Sequence, residues 1–252
     1  LFNLETCVHN WDEGTPTITS GTPMTTAPAL LDELKWLGID IVTCANNHAF
    51  DYGEGGILAT LRHLDAAGIP HAGIGRNLAE ARLPAYMETA GGRLGMVGAT
   101  SAFRVWNRAG PQRPELHGRP GVSPFAFKTT YTVEDRVFDA LRAMNEGLGF
   151  ARADERNRKH FYSDKEVGEV GAEEIRVFGQ RVVKGNTFAI STESDKEDFD
   201  DMIRWVRETR RQADWVAVSF HCHEFNGRSL KEAKAKVELS EVADFVGTFA
   251  RA

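Results

Sequence analysis

The stretch GIDIVTCANNHAFDYG, Gly38 to Gly53, carries the decision about the fold. Its first half, Ile39 to Cys44, is a β-branched apolar run that suits a buried strand. Its second half, Cys44 to Gly53, sets two asparagines, a histidine and an aspartate at the tip of that strand. Such side chains fill a core poorly and hold a metal ion or a proton well. Working outward, Leu30, Leu31, Leu34 and Leu37 recur at three- and four-residue spacing, which predicts a helix from Ala27 that Gly38 ends. On the other side Ile57, Leu58, Leu61 and Leu64 predict the next helix, closed by Gly68, and IPHAGIG reads as a short strand or turn. A helix–strand–loop–helix–strand rhythm is the mark of a layered α/β domain.

The remaining segments fit that class. Asn10 to Thr26 is rich in Thr, Gly, Ser and Pro and reads as an exposed loop. Pro84 to Thr89 and Leu94 to Thr100, joined across Gly91-Gly92, predict a β-hairpin. Val133 to Leu148 predicts a helix with Val137, Leu141, Met144 and Leu148 on one face, capped through Thr132 and Asp135. Ala151 to Glu174 is dense in charge and poor in apolar residues, and reads as a charged insertion or solvated face. Phe188 to Ser191 predicts a strand, and Asp195 caps a helix bearing Phe199, Met202, Ile203 and Val206. WVAVSF, Trp215 to Phe220, is a continuous apolar strand that runs into a second polar tip, His221-Cys222-His223-Glu224. The opening LFNLET and closing DFVGTFARA read as the middle of a strand and of an amphipathic helix, so the 252 residues are expected to form a single domain with both ends incomplete and a possible insertion at 151–174.

Composition excludes several classes. A formal net charge of −6 argues against a protein built to bind a nucleic-acid backbone. No apolar run approaches the ~18 residues of a membrane span, and no signal peptide opens the chain. Cys7, Cys44 and Cys222 are odd in number and far apart, which excludes a disulfide framework or a CxxC zinc site. Cys44 reads as a small buried hydrophobe. The cellular side stays open between the cytoplasm and the outer face of a membrane.

The chemistry gathers at the two tips. Asn47 offers an amide oxygen, His48 an imidazole and Asp51 a carboxylate, a mixed donor set that suits Mn²⁺, Fe²⁺ or Zn²⁺. If the second strand continues, His221 and His223 point to one side and form a pair of ligands, with Glu224 beside them. Glu5, after the short apolar run of NLET, is a third carboxylate at a strand end. Each cluster alone has a bland reading: NNH as turn and capping groups, Glu5 as a backbone cap. Core packing does not explain their joint occurrence at strand ends, which is where ligands bind in open α/β sheets. His63 and His71 read as surface or supporting groups. Trp106, in the loop FRVWNR, either packs or lines a cleft, and His9, His117 and His160 carry no assignment.

FNLET and the run from GIDIVTCANNHAFDYG through GIGRNLAEAR resemble the bacterial capsule-synthesis proteins of the CapA type, linked to poly-γ-glutamate synthesis and belonging to the calcineurin-like metallophosphatase superfamily. HGRPGVSPFAF and ADWVAVSFHCHEF resemble further blocks of that family. The resemblance implies a four-layer sandwich, two mixed β-sheets flanked by helices, with two divalent metal ions at the strand ends. It implies Glu5, Asn47 and His221 as metal ligands, to which the HxH spacing adds His223, and His48 and Asp51 as catalytic groups. Asn46 and Glu224 follow as substrate-binding or supporting residues. The superfamily's upstream Gly-Asp and downstream Gly-His-x-His blocks do not occur in these residues, and HCHE stands where relatives show His-Trp-Gly. The expected function is a metal-dependent hydrolase of a phosphoester or γ-glutamyl amide in capsule synthesis. A metal-site peptide epimerase and a non-catalytic, polymer-binding accessory subunit are the alternatives. An anionic polymer or peptide and other capsule-synthesis proteins are the expected partners.

Overall fold

A computed structural model describes residues 1–18, 21–158, 171–225, 228–229 and 243–252. The fold is mixed α/β, as expected: the described residues form several sheets flanked by seven α-helices, with no closed barrel. None of those helices is long and apolar enough to cross a membrane. The chain divides into two compact units, Leu1–Ala126 with Asp195–His223, and Phe127–Ser194 with Glu224–Ala252.

The first unit opens with β1 (Phe2–Asn3), β2 (Cys7–Val8) and β3 (Thr25–Thr26). It continues through α1 (Leu31–Trp36), β4 (Val42–Thr43), α2 (Gly53–Ala67), β5 (His71–Ala72), β6 (Ile74–Gly75), α3 (Leu78–Arg82), β7 (Ala85–Thr89), β8 (Gly92–Thr100) and β9 (Gly121–Val122). β4 is the centre of a parallel sheet, with β1 on one side and β5 on the other. β2 pairs with β3, and β6 with β9. β7 and β8 form the expected antiparallel hairpin, Ala85 opposite Met96 and Thr89 opposite Gly92. The helix before the key stretch is shorter than its spacing suggests, a 3₁₀ turn at Pro28–Leu30 followed by α1, and only Leu31 on it is buried. Gly38 and Gly68 end α1 and α2 at positive φ, where a side chain would crowd the following carbonyl. The core of this unit joins Val42 and Cys44 of the central strand to Ile57, Leu61 and Leu64 of α2 and to Leu4 and Val8.

The second unit holds β10 (Phe127–Glu134), α4 (Asp135–Gly147), α5 (Phe150–Arg158), β11 (Glu174–Val177), β12 (Gln180–Gly185) and β13 (Ala189–Ser194). Its sheet runs β11-β12-β10-β13. The expectation of a helix from Val133 capped through Thr132 is corrected here. Thr132 and Val133 belong to β10, which bonds to β12 on one edge and β13 on the other, and α4 starts two residues later from Glu134 with no side-chain cap. FKTTYTVE is β-branched and aromatic, and two ladders outweigh one possible cap. Phe178 and Gly179, at φ +50 and +79, make the tight turn between β11 and β12. The region read as a charged insertion is helical over Phe150–Arg158 and begins β11 at Glu174; its middle, with His160, lies outside the described residues.

The chain then supplies α6 (Lys196–Gln212) and β14 (Trp215–His221) to the first unit. Asp195 caps α6 as expected, its Oδ1 accepting from the amides of Glu197 and Asp198. β14 lies parallel to β8 over its whole length, Trp215 beside Leu94 and His221 beside Thr100. A buried ion pair holds α6: Arg82 at the end of α3 donates to Asp198 and Asp201, while Asp198 Oδ2 accepts from the Ala126 amide at 2.9 Å. Last come β15 (Glu224–Phe225), β16 (Arg228–Ser229) and α7 (Asp244–Arg251) in the second unit.

Candidate metal centre

Three strand ends of the first unit converge. β1 runs parallel to β4, and the Leu4 amide still donates to the Thr43 carbonyl at 2.9 Å, so Glu5 leaves one strand beside the point where Asn46 leaves the other. The tip is then wired internally. Asn46 is buried; its Nδ2 donates to the Leu4 carbonyl at 2.9 Å and to Asn3 Oδ1 at 3.2 Å, and its Oδ1 accepts from the His48 amide at 3.1 Å. Every polar atom of that side chain therefore holds backbone or a neighbour, and Asn46 supports the site rather than facing into it. Cys7 Sγ braces the tip with contacts to the Ala49 carbonyl at 3.2 Å and the His48 carbonyl at 3.4 Å. Burial pushes its thiol up to about 11, which keeps it protonated.

His48 and Asp51 form a pair. His48 Nδ1 donates to Asp51 Oδ2 at 2.7 Å, and the same oxygen accepts from the Met24 amide at 2.8 Å. Asp51 is buried, so its carboxylate is held in one orientation and fixes the imidazole with Nε2 facing outward. Glu5 Oε1 lies 4.0 Å from that Nε2, and Glu5 Oε2 accepts from Asn3 Nδ2 at 3.3 Å.

The third strand end brings His221. Thr100 Oγ1 and the Ser101 amide both donate to its carbonyl, each at 3.0 Å, which locks the end of β14 onto the end of β8. His221 Nε2 sits 2.8 Å from Asn47 Oδ1 and 3.1 Å from His223 Nε2. The side chains of residues 47 and 221 thus meet across 174 positions of sequence. Burial lowers the pKa of the His221 imidazole; Glu5 opposes the shift, while His223 and His48 add to it. The neutral ring is the form that ligates.

An amide oxygen and two imidazole nitrogens crowded together are three lone-pair donors, and a single proton satisfies them poorly. A divalent cation of borderline character satisfies all three and leaves positions open, as in catalytic zinc sites. Among the described residues no three His, Cys, Asp or Glu side chains converge closely enough to hold an ion by themselves. The fit here depends on Asn47 as the third donor. It is a fit for one ion; the expectation of a second rests on the resemblance. Asn47, His48, His221, His223 and Glu5 are brought together, whereas Glu224 belongs to the second unit, at the start of β15.

Several supporting groups escape sequence reading: Asn3, Cys7, the Met24 amide, Thr100 and Ser101. Of these only Asn3 had a signal, its place in NLET.

Two proteins of Sinorhizobium fredii strain NBRC 101917 / NGR234, uncharacterized protein y4sH and uncharacterized protein y4uA, are each 31% identical to this chain over 197 residues, 78% of its length. The chain spans 40% of the length of each. Residues 1–240, which include all three strand ends, match the family described as bacterial capsule synthesis protein PGA_cap, and the chain belongs to that family.

Proposed function

We propose that this chain acts in capsule synthesis as a metal-dependent hydrolase of an anionic polymer or its precursor, cleaving a phosphoester or a γ-glutamyl amide. The observation that carries this reading is the meeting of His221 Nε2 with Asn47 Oδ1 and His223 Nε2. Those three groups would hold a divalent ion, Mn²⁺, Fe²⁺ or Zn²⁺, with the Glu5 carboxylate 4.0 Å from His48 Nε2. When bound, such an ion polarises the scissile group and lowers the pKa of a water. The protein's own groups handle the proton. His48 keeps Nδ1–H on Asp51, so Nε2 is free to carry a proton to the departing oxygen or nitrogen, and the buried Asp51 carboxylate stabilises the imidazolium.

Metal content by mass spectrometry, on wild type and His221→Ala, tests the site. At least one ion per chain in the wild type, lost in the variant, is expected. Asp51→Asn is expected to keep the metal and lose about 10²-fold or more in kcat on a chromogenic aryl phosphate or γ-glutamyl anilide. The absence of any trio of His, Cys, Asp or Glu among the described residues favours a second reading, a polymer-binding accessory subunit without catalysis. Wild-type protein that takes up no Mn²⁺ or Zn²⁺ would decide for that reading.

A further inference from the structure

A cavity of about 340 Å³ opens in the first unit where α2 turns into β5. The end of α2 and the turn from Gly68 to His71 form one wall, and Ala85 and Tyr86 at the start of β7 form the other. It lies at the amino end of β5, whereas Asn46 to His48 leave the carboxyl end of β4, the parallel neighbour of β5. None of the residues that line it belongs to the candidate metal centre.

Two acceptors stand across a gap in this cavity. His71 Nδ1 donates to the Ile69 carbonyl at 3.0 Å, an atom that only accepts, so in the neutral ring Nε2 holds the lone pair. Asp65 Oδ1 is 3.9 Å from that Nε2, too far for a hydrogen bond, and the carboxylate meets no other donor among the described residues. Asp65 also runs against its own helix. It stands in the last turn of α2, at the negative end of the helix dipole, and that turn carries no basic residue. Carboxylate, imidazole lone pair and helix end thus gather negative potential in one place.

The nearby cation is already taken. Arg93 lies over the Tyr86 ring at 5.3 Å, but its guanidinium donates to Glu88 at 2.5 Å and to the Gln212 carbonyl at 3.4 Å. The hydroxyl of Tyr86 is buried without a hydrogen-bond partner, so the wall itself contains a polar atom that the protein leaves unsatisfied.

We infer that this cavity binds a small organic cation: a primary ammonium sits between His71 Nε2 and Asp65 Oδ1 at the end of α2, and its carbon stem lies against Ile69, Pro70 and Ala85. An ammonium has three N–H donors, and a 3.9 Å gap lets one nitrogen reach both acceptors at hydrogen-bond length. A bare metal ion fits less well. No third His, Cys, Asp or Glu joins the pair among the described residues, and the cavity has the size of a small-molecule site. A neutral or anionic ligand would leave the carboxylate and the helix end uncompensated. The inference stands independently of the hydrolase reading.

The test is a titration of the full chain, in chelator, with n-butylamine as the probe, followed through the backbone amides by ¹H–¹⁵N NMR. Saturable shifts are expected at Gly68, Ile69, His71 and Tyr86, with a dissociation constant of about 1 mM, in keeping with a ligand of so few atoms. 1-Butanol, which has the same stem and no charge, is expected to bind about tenfold more weakly. Asp65→Asn is expected to weaken the amine by about tenfold as well. That variant removes a negative charge from a helix C-terminus, so its thermal midpoint is expected to match or exceed that of wild type, which separates lost binding from lost fold. His221→Ala is expected to bind the amine like wild type. Five outcomes would each overturn the inference. They are no saturable shift, equal affinity of wild type and Asp65→Asn, and 1-butanol binding as tightly as the amine. The others are shifts spread over the acidic surface, and Zn²⁺ without chelator moving the same amides at lower concentration than the amine.

Discussion

Asn47 and Asn46 are neighbours in sequence with opposite employment. One turns an amide oxygen toward His221, while the other uses all its polar atoms to tie Leu4, Asn3 and the His48 backbone together. NNH announces a polar tip and leaves that division undecided, because it depends on which strand lies alongside. The approach of Asn47 to His221 was legible from two strand ends carrying metal-competent residues, whereas the Met24 amide that steadies Asp51 had no signal at all. The loop that delivers Met24 is clasped to α2 by Glu13, which accepts from the Asn10 amide at 2.6 Å, from His63 Nε2 at 2.7 Å and from Arg62 Nη2 at 2.7 Å. These contacts, the Asn10 amide first, lower the Glu13 pKa from 4.5 to about 2. A depressed carboxylate pKa stabilises the fold above the unfolded value and loses that contribution as pH falls through the folded one. Wild type is therefore expected to exceed Glu13→Gln in thermal midpoint at neutral pH. The gap should close between about pH 4.5 and 2 when melting is followed by circular dichroism.

Helices and strands were legible in proportion to how local their causes are. α2, the β7–β8 hairpin and α6 follow from spacing, a glycine turn and an aspartate cap, all within a few residues. β10 was missed because its cause is remote: Thr130 pairs with Arg181 on one edge and Ser191 on the other. The fastening of α6 is equally remote, since Arg82 and Asp198 are 116 positions apart and both almost fully buried. Removing Asp198 takes from the buried Arg82 one of its two carboxylates and leaves the Ala126 amide without its acceptor. Asp198→Ala is expected to destabilise by about 3–5 kcal/mol in urea unfolding. The exposed i,i+3 pair of Arg211 with Glu208 on the same helix is the control, with an expected loss below about 0.5 kcal/mol.

At the scale of the molecule, a ligand that binds only the folded state adds to its stability by mass action. With free Mn²⁺ or Zn²⁺ at a hundred times its dissociation constant, the gain is about 2.7 kcal/mol, seen as a raised midpoint in differential scanning calorimetry. His221→Ala is expected to show no such rise. The first unit is also interrupted: its residues 1–126 are followed by 68 positions of the second unit before Asp195–His223 return to it. A ribosome therefore releases Glu5, Asn47 and His48 long before it makes His221 and His223. The nascent chain grows by the 114 residues between Thr100 and Trp215 with β8 lacking its parallel neighbour, and the groups proposed to hold an ion meet only after that stretch has emerged.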